Sequence, residues 1–528
     1  MGKGVRGMRR PTLRLFGIIL TFLLLLFQGF LILPNVSAAP SVTVTNPIPH
    51  PQTVQVPSLR VIFILAEFPD AKHAVSADEC RKRILTEIID YYHESSYGTV
   101  SITGDVTPDW ITLSKPFSSY GNLASFIGSD LRSRRQQLVS DAIKAADDII
   151  DFRKYDVPVI VLPKVHLISY SIPVSVSTND GVTVSGATVQ IEDRPASVFA
   201  HEIGHRLGLS DLYDTALADK LGSSDAAAIY VGRWCLMSTA FQGTVHFCAY
   251  NKIALGWIPS ERIKTVSPGS SELVTIEPLE IKTQGIQAIK IPLSSQSYYL
   301  VEVRRKIGFD KALPDEGVLI TFVDETIKGG GFIKVIDAEP STSSLDDATF
   351  DARSGKKNIF IDPGKNLAIV VVWSEDYTCG IDITTPSLSE EISKLSSSIS
   401  QAKSRISQAS EAKFKSAEAQ SLLNEAQSKF DSALSSLKSQ NYAVAKQGTD
   451  SVMNLIDQAF SAEQKYAQIS KPISPPAPQP QPTPPSGGMG CAKTSSLVEK
   501  SFDFSPLLLG MVWVGAALAL GSRSKRNR

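Results

Sequence analysis

One short segment, HEIGHRLGLSD, holds the residue types best suited to chemistry. On a helix, His201 and His205 lie four residues apart on one face, where two imidazole nitrogens can share one zinc ion. Glu202 lies beside the first histidine and can reach a water molecule on the ion as a general base. Gly208 allows a sharp exit from the helix, so that Asp211 can return as a third ligand. The pattern predicts a zinc site with an open fourth position, as catalysis requires.

Asp211 has a second reading, because aspartate also stabilises local turns. Few other residues could complete the site, however. The chain has seven histidines, and only His246 follows His205. No glutamate occurs between residues 206 and 260, and Glu261 follows a proline in a poor setting for a ligand-bearing helix. Asp211 is therefore the predicted third ligand.

Met237 occurs in the tetrapeptide WCLM downstream of the histidines. A methionine turn beneath the metal supports the ligands in one class of zinc proteases, and a lone methionine is otherwise usually a core residue. The two readings coincide, since such a turn is itself a packing feature. Tyr213, Tyr230 and Tyr250 all remain candidates for stabilising negative charge in a reaction.

A structural calcium ion is a second candidate cofactor. Asp214, Asp219 and Asp225 follow the zinc segment and could supply oxygen ligands. Their spacing is not that of an EF-hand, and scattered acids in loops are usually only solvated.

The five cysteines are Cys80, Cys235, Cys248, Cys379 and Cys491. Cys235 and Cys248 flank a short loop and form the best candidate pair for a disulfide, which an extracellular location permits. Two free, buried thiols fit the same pattern equally well.

Charge is unevenly distributed although its sum is zero. Nine of the 53 basic residues lie in residues 1–38 and 523–528, which contain no acid, so the intervening body has 44 basic against 53 acidic residues. A mildly acidic body lacks the basic patches of nucleic-acid-binding proteins.

Both ends of the chain carry apolar runs. The first follows a basic start and precedes Val36-Ser37-Ala38, which predicts a secretory signal, with an uncleaved anchor as the lesser alternative. The second ends in a basic hexapeptide and predicts a transmembrane helix whose tail is cytoplasmic. The sequence therefore predicts a single-pass cell-surface protein with an extracellular body.

Apolar patterns place the zinc segment in a mixed α/β unit. Buried or alternating strands are predicted at 59–68, 100–106, 157–162, 168–176 and 182–191, and helices at 77–93, 138–152, 196–209 and 249–257. A sheet of this kind would fix the helix, and an edge strand could accept an extended peptide.

Several ordered motifs together resemble the immune inhibitor A family of secreted metalloproteases. They are the zinc segment through Asp214, FPD at 68–70, YYHESSYG at 91–98, WCLM at 234–237 and KIALGW at 252–257. The resemblance covers roughly residues 59–330. It implies a metzincin-like zinc endopeptidase in which His201, His205 and Asp211 bind the metal and Glu202 is the base.

The rest of the chain divides by composition. Short alternating strands predict a β-sandwich-like module after residue 260, in a passive packing role or, as the minority view, in substrate docking. Apolar residues in steps of three and four predict an antiparallel coiled coil or three-helix bundle, which acts as a spacer or associates with a partner coil. The predicted divisions are a signal peptide (1–38), a lead-in (39–58), a catalytic domain (59–260), a β-rich module (261–386), a coiled-coil domain (387–470), a proline-rich linker (471–504), a transmembrane helix (505–522) and a basic tail (523–528).

The overall prediction is a multidomain α+β protein with a zincin catalytic domain. Its expected function is that of a membrane-anchored zinc endopeptidase acting on extracellular proteins, with self-association through the coil as a further expectation. The alternative is a non-catalytic adhesion or cell-envelope protein in which the zinc is structural.

Overall fold

A computed structural model describes residues 58–126, 128–353 and 355–470. The predicted signal peptide, linker, transmembrane helix and basic tail lie outside these residues, as does the lead-in apart from Ser58. Within the described ranges, no helix is both long enough and apolar enough to cross a bilayer.

Fifteen β-strands occur in the described part of the chain. They are β1 (Ser58–Glu67), β2 (Ser101–Val106), β3 (Ile111–Thr112), β4 (Val157–Leu162), β5 (Tyr170–Ser177), β6 (Thr183–Ile191), β7 (Ile263–Thr265), β8 (Glu272–Ile276), β9 (Ala288–Pro292), β10 (Ser297–Arg304), β11 (Gly317–Asp324), β12 (Ile333–Val335), β13 (Ile359–Asp362), β14 (Leu367–Glu375) and β15 (Thr378–Thr384).

Nine α-helices accompany the strands in the same ranges, and a π-helical turn, Arg81–Leu85, joins the first two. They are α1 (Ala77–Cys80), α2 (Thr86–Ser95), α3 (Leu131–Ala146), α4 (Ala196–Arg206), α5 (Thr215–Leu221), α6 (Ala249–Ala254), α7 (Pro386–Glu411), α8 (Ala417–Lys438) and α9 (Tyr442–Ile469).

The first sheet carries helices on both faces. Its strand order is β2-β1-β4-β6-β5, and β3 also pairs with β1. All pairs are parallel except β5 with β6, which forms an antiparallel edge. On β1, Val61 and Phe63 face the core that includes α4, whereas Ile62 and Ile64 face the core that includes α3. Burial on both faces explains the nearly unbroken apolar sequence of this strand.

The second and third sheets form a sandwich. Their strand orders are β12-β11-β10-β9-β7 and β13-β14-β15-β8, and a common apolar core lies between them. Strand β10 contributes to two cores, because Val301 and Val303 face the inside of the sandwich while Tyr298 and Leu300 face the core of the first sheet. The core therefore continues across the predicted boundary at residue 260.

Helices α7, α8 and α9 form a three-helix bundle on the outer face of β14. Val370 and Val372 of this strand pack against Ile392 and Ile399 of α7. The apolar seam predicted as a coiled coil is thus covered by helices of the same chain and by the sheet. This arrangement gives no support to self-association through the coil.

Some predicted elements differ from the observed ones. Helix α3 begins at Leu131 and ends at Ala146, whereas the pattern predicted residues 138–152. The first turns of α3 contain several arginines, so its apolar periodicity could not be recognised there. Strands β3, β7 and β13 and helix α5 were not predicted, since each is short. Strand β15 was also missed, although Cys379, Ile381 and Ile383 alternate along it.

The aspartates considered for calcium do not form a cluster. Asp214 caps α5 by accepting a hydrogen bond from the Leu217 amide at 2.9 Å, and Asp219 accepts one from Phe126 at 3.1 Å. In the part of the chain that the structure describes, the only group of three potential ligands is His201, His205 and Asp211. The described residues therefore give no support to a calcium site at these aspartates.

The end of β1 is fixed by one buried carboxylate. Glu67 is only 6% exposed, and its oxygens contact Lys72 Nζ, Thr112 Oγ1 and His73 Nδ1, each at 2.7 Å. Burial alone would raise the pKa of Glu67, but these hydrogen bonds outweigh it and lower the pKa to about 2. The ionised form is therefore favoured in the folded chain.

We expect Glu67→Gln to remove a pH-dependent part of the stability. Because the folded pKa is depressed, the contribution of Glu67 is complete above pH 4.5 and is lost as the pH falls towards 2. The stability difference between wild type and variant should shrink by roughly 3 kcal/mol across that window, as measured by denaturant unfolding. The control is Glu79→Gln at an exposed position. A wild-type-minus-variant difference independent of pH would contradict this assignment.

Candidate metal centre

The zinc segment lies on α4 and in the loop that follows it. Gly208 adopts a φ of +96°, a left-handed conformation that favours glycine, and so turns the chain back below the helix end. This turn brings Asp211 Oδ1 to 3.1 Å from His201 Nε2 and 3.3 Å from His205 Nε2. Three side chains predicted from sequence are thus brought together.

Both imidazoles are oriented by backbone carbonyls. His201 Nδ1 lies 2.9 Å from the carbonyl oxygen of Leu236, and His205 Nδ1 lies 2.8 Å from that of Leu209. Each Nδ1 therefore carries the proton, and each Nε2 is directed towards Asp211. Metal-binding histidines are usually held in this way by their second nitrogen.

The donor set fits a tetrahedral zinc ion. With bonds of 2.0–2.2 Å, two ligand atoms of such an ion lie about 3.3 Å apart. The Nε2–Oδ1 separations of 3.1 and 3.3 Å are close to this value. Two imidazoles and one carboxylate also provide the mixed nitrogen and oxygen ligands that zinc accepts.

Electrostatics at the three residues favour a positive charge between them. Burial alone would raise the pKa of Asp211, but hydrogen bonds with His201 and His205 hold it well below its usual range. Burial would lower the pKa of His205, yet the hydrogen bond with Asp211 raises it to about 9. The three side chains thus form an environment that favours a cation.

Glu202 is buried beside this group but is not part of it. Its Oε2 has no hydrogen-bond partner in the described residues, and burial raises the pKa of the carboxyl. A buried carboxylate without a partner is costly, so its retention calls for an explanation. Glu202 lines two cavities, one of about 420 Å³ that His205 also lines and one of about 310 Å³ that His201 also lines.

Met237 lies directly beneath the helix. A Cβ on Gly204 would lie only 2.9 Å from Met237 Sδ, so the absence of a side chain at Gly204 permits this approach. Residues 234–237, named here the Met-turn, also hold the ligands through the backbone. The Leu236 carbonyl orients His201, and the Met237 carbonyl accepts a hydrogen bond from the Leu212 amide at 2.9 Å.

The other motif residues position the helix rather than line the site. Tyr92, from the YYHESSYG motif, donates a hydrogen bond at 2.7 Å to the carbonyl of Ala200, the residue before His201. Tyr97 donates one at 2.6 Å to Leu279 in the sandwich. Trp257, at the end of the KIALGW motif, packs edge-on against Tyr92.

A buried ionic cluster joins the sandwich to the Met-turn. Arg304, at the end of β10, is fully buried and donates hydrogen bonds to Glu280 and Glu302 and, at 2.6 Å, to Asp310. The same guanidinium donates at 2.6 Å to the carbonyl oxygen of Trp234. The position of the Met-turn therefore depends on a side chain of the sandwich.

The cluster extends on both sides of Arg304. Asp310 accepts a hydrogen bond from the His246 amide at 2.7 Å, and Glu302 accepts one from Ala249 at 2.7 Å. Burial lowers the pKa of Lys252 to about 8, and Lys252 Nζ lies 3.1 Å from His246 Nδ1. Burial also raises the pKa of Glu280 well above its usual range.

The two cysteines near the Met-turn are free thiols. Cys235 and Cys248 are both buried, and the Cys248 amide lies 3.2 Å from Cys235 Sγ. The two cysteines that the sequence suggested as a disulfide pair thus lie side by side, and they form no disulfide bond in this structure.

Several residues near the site were not identified from sequence. Arg135 of α3 and Tyr170 of β5 line the larger cavity, and the guanidinium lies 4.3 Å above the Tyr170 ring. Neither occurs in a recognisable motif. Of the three tyrosines considered, Tyr213 lies nearest, with its ring 6.4 Å from that of His201. Tyr230 donates a hydrogen bond to Asp214. Tyr250 lines a third cavity, which His205 also lines.

We expect Arg304→Leu to destabilise the chain by about 3–5 kcal/mol, because it leaves buried acids without their cation. Thermal and denaturant unfolding would measure the loss. Arg60→Leu is the matched control, since Arg60 pairs with Asp156 on the surface with 45% of its side chain exposed. Equal effects of the two substitutions would show that the buried cluster is not essential.

Comparison with known proteins agrees with this geometry. Residues 170–253 match the family model described as immune inhibitor A peptidase M6, catalytic domain. A comparison with curated proteins finds no match. The matched segment runs from the edge strand β5 to helix α6 and includes all three clustered residues, Glu202 and Met237. Over this segment, the chain is similar to the immune inhibitor A family of metallopeptidases.

Proposed function

We propose that the chain is a zinc endopeptidase. The observation that carries this proposal is the convergence of His201, His205 and Asp211 next to a buried Glu202 without a hydrogen-bond partner. These three residues would hold the ion. When bound, zinc supplies Lewis-acid activation of a carbonyl group and of water.

The residues of the chain have distinct roles in this proposal. The backbone carbonyls of Leu236 and Leu209 hold a proton on each Nδ1, so that both Nε2 atoms point inwards and are available to the ion. Glu202 Oε2 accepts the proton of the attacking water and returns it to the leaving amine, as a general base and then a general acid. A raised pKa suits this exchange, since the carboxyl must hold the proton between the two steps.

The substrate in this proposal is an extended peptide. Among the described residues, strand β5 is an edge strand that pairs only with β6. Its residues Tyr170, Ile172 and Pro173 line the cavity of about 420 Å³ together with Glu202 and His205. An exposed edge can bind a peptide through backbone hydrogen bonds. Hydrogen bonds to the peptide backbone do not distinguish one substrate side chain from another. Selectivity among peptides would therefore come from the residues that line the cavity.

The sandwich contributes to the same cleft. A cavity of about 510 Å³ lies between His205 and Asp211 on one side and Glu325, Lys328 and Phe332 on the other. The last three belong to the β11–β12 connection and the residue before β12. Substrate docking by the sandwich, the minority view from sequence, is therefore included in the proposal.

The rival function is a non-catalytic surface protein with a structural zinc. A structural site usually has four protein ligands, and only three cluster among the described residues. It also has no use for a buried carboxylate beside the ligands. Both observations favour the peptidase.

Location at the cell surface is part of the proposal and rests on sequence alone. The basic and apolar start, the apolar run at 505–522 and its basic tail support an extracellular body with a single membrane anchor. Extracellular proteins would then be the substrates.

We expect Glu202→Gln to retain zinc and to lower the rate of casein cleavage by about 10²–10⁴-fold, because the variant cannot accept a proton. Metal content by mass spectrometry and cleavage by gel assay are measured on the same preparation. The isosteric amide leaves the metal-binding residues unchanged.

His205→Ala serves as the companion variant and should lose both zinc and cleavage. A zinc-loaded wild type that cleaves no unfolded protein would refute the peptidase proposal. Zinc binding that survives in His205→Ala would refute the assigned ligand set.

A further inference from the structure

Arg304 and Arg305 are neighbours in sequence but have opposite surroundings. Arg304 contacts three acids, as described above. Arg305 is also buried, with 4% of its surface exposed, yet it forms no ion pair within the residues that the structure describes. Its Nη1 is buried without any hydrogen-bond partner in those residues.

The contacts that Arg305 does make do not neutralise its charge. Its Nε donates to the carbonyl oxygen of Tyr377 at 3.2 Å, and its Nη2 lies 3.1 Å from Cys379 Sγ. Burial raises the pKa of the Cys379 thiol, so this group is uncharged. A buried guanidinium without an ion-pair partner is energetically unfavourable, so an anion in contact with Arg305 would stabilise it.

Arg305 lines a cavity of about 320 Å³ between the sandwich and the helical bundle, far along the chain from the metal centre. Most of its wall is apolar, and it includes Trp373 of β14, Ile399 of α7 and Phe430 of α8. This volume is in the range of small-molecule sites. The indole Nε1 of Trp373 is likewise buried without a partner.

The charged groups at the rim do not supply the missing anion. Glu375 pairs with Lys438 of the bundle, and Asp376 is exposed. Arg353 pairs with Asp351 and Glu316, and Lys403 adds a further positive charge. Of the acids at the cavity, Glu375 is therefore paired with a lysine and Asp376 is solvated, and neither forms an ion pair with Arg305.

We propose that this cavity binds a small monocarboxylate with an apolar body, with its carboxylate on Arg305. Guanidinium and carboxylate groups match in charge and planar shape. One buried, uncompensated positive charge suits a single negative charge, since the further positive charge at the rim, on Lys403, is exposed to solvent. The apolar walls would enclose the rest of the ligand. Both the C-terminal residue of a peptide and a free carboxylic acid have this chemistry.

The test is calorimetric titration of the full-length chain in low-chloride buffer with N-acetyl-L-leucine, 4-methylpentanoate, N-acetyl-L-leucinamide and inorganic phosphate. We expect N-acetyl-L-leucine to bind and the uncharged amide not to bind. Binding of 4-methylpentanoate as well would identify any apolar monocarboxylate as a ligand, whereas its failure would identify a peptide terminus. Equal binding of the amide, preference for phosphate, or no binding of either carboxylate would overturn the proposal.

Two substitutions locate the site. Arg305→Gln should weaken binding of N-acetyl-L-leucine at least tenfold and, without ligand, leave the Tm equal to or above that of wild type, because the unpaired buried charge is gone. Ser400→Phe should abolish binding by filling the cavity while leaving Arg305 intact. Arg405→Gln, on α7 but paired with Asp457, is the control and should bind normally. Undiminished binding by Arg305→Gln, or a marked fall in its Tm, would overturn the proposal.

Discussion

The buried guanidinium of Arg304 is the interaction on which the arrangement of the metal centre depends. It contacts the carbonyl of Trp234, and the next residues of the same turn orient His201 and support Gly204. A planar group with five fixed donors can satisfy several acceptors at once, which an amine cannot do with the same directionality. Burying the acids around Arg304 is costly unless they contact the guanidinium. The cluster therefore favours a single position of the sandwich against the first sheet. Geometry at the histidines is thus set by a strand outside the segment that contains them.

Because the metal centre depends on Arg304 of the sandwich, the predicted catalytic domain and the predicted β-rich module are not structurally separate. The sequence predicted a catalytic unit and a separate β-rich module, because short alternating strands replace the mixed pattern of helices and strands near residue 260. In the structure, β10 faces both cores with alternate side chains, and the β11–β12 connection lines a cavity next to His205. Alternation along one strand is visible in sequence, but which core each face meets depends on tertiary packing. The two predicted units consequently share a core in the described chain.

Sequence reasoning succeeded where spacing within one element determines geometry. The histidines, Glu202 and the return of Asp211 are fixed by helix periodicity and one glycine, so their proximity could be predicted. The wall residues Arg135 and Tyr170 come from a helix and a strand whose contacts with the site are long-range. Helix α3 was displaced in the prediction because its arginine-rich first turns resemble a solvent-exposed segment. No local pattern distinguishes Arg304 from Arg305, although one is neutralised by acids and the other is not.

The number of helices in the bundle has a geometric consequence. Helix α7 starts beside the sandwich, and Lys438 at the end of α8 and Tyr442 at the start of α9 contact Glu375 and Asp382 of the same sheet. Helix α9 therefore runs outwards again, and its 28 residues span about 42 Å. An even number of antiparallel helices would return the chain to its starting level. With three helices, Ile469 lies at the end of the bundle farthest from the sheet.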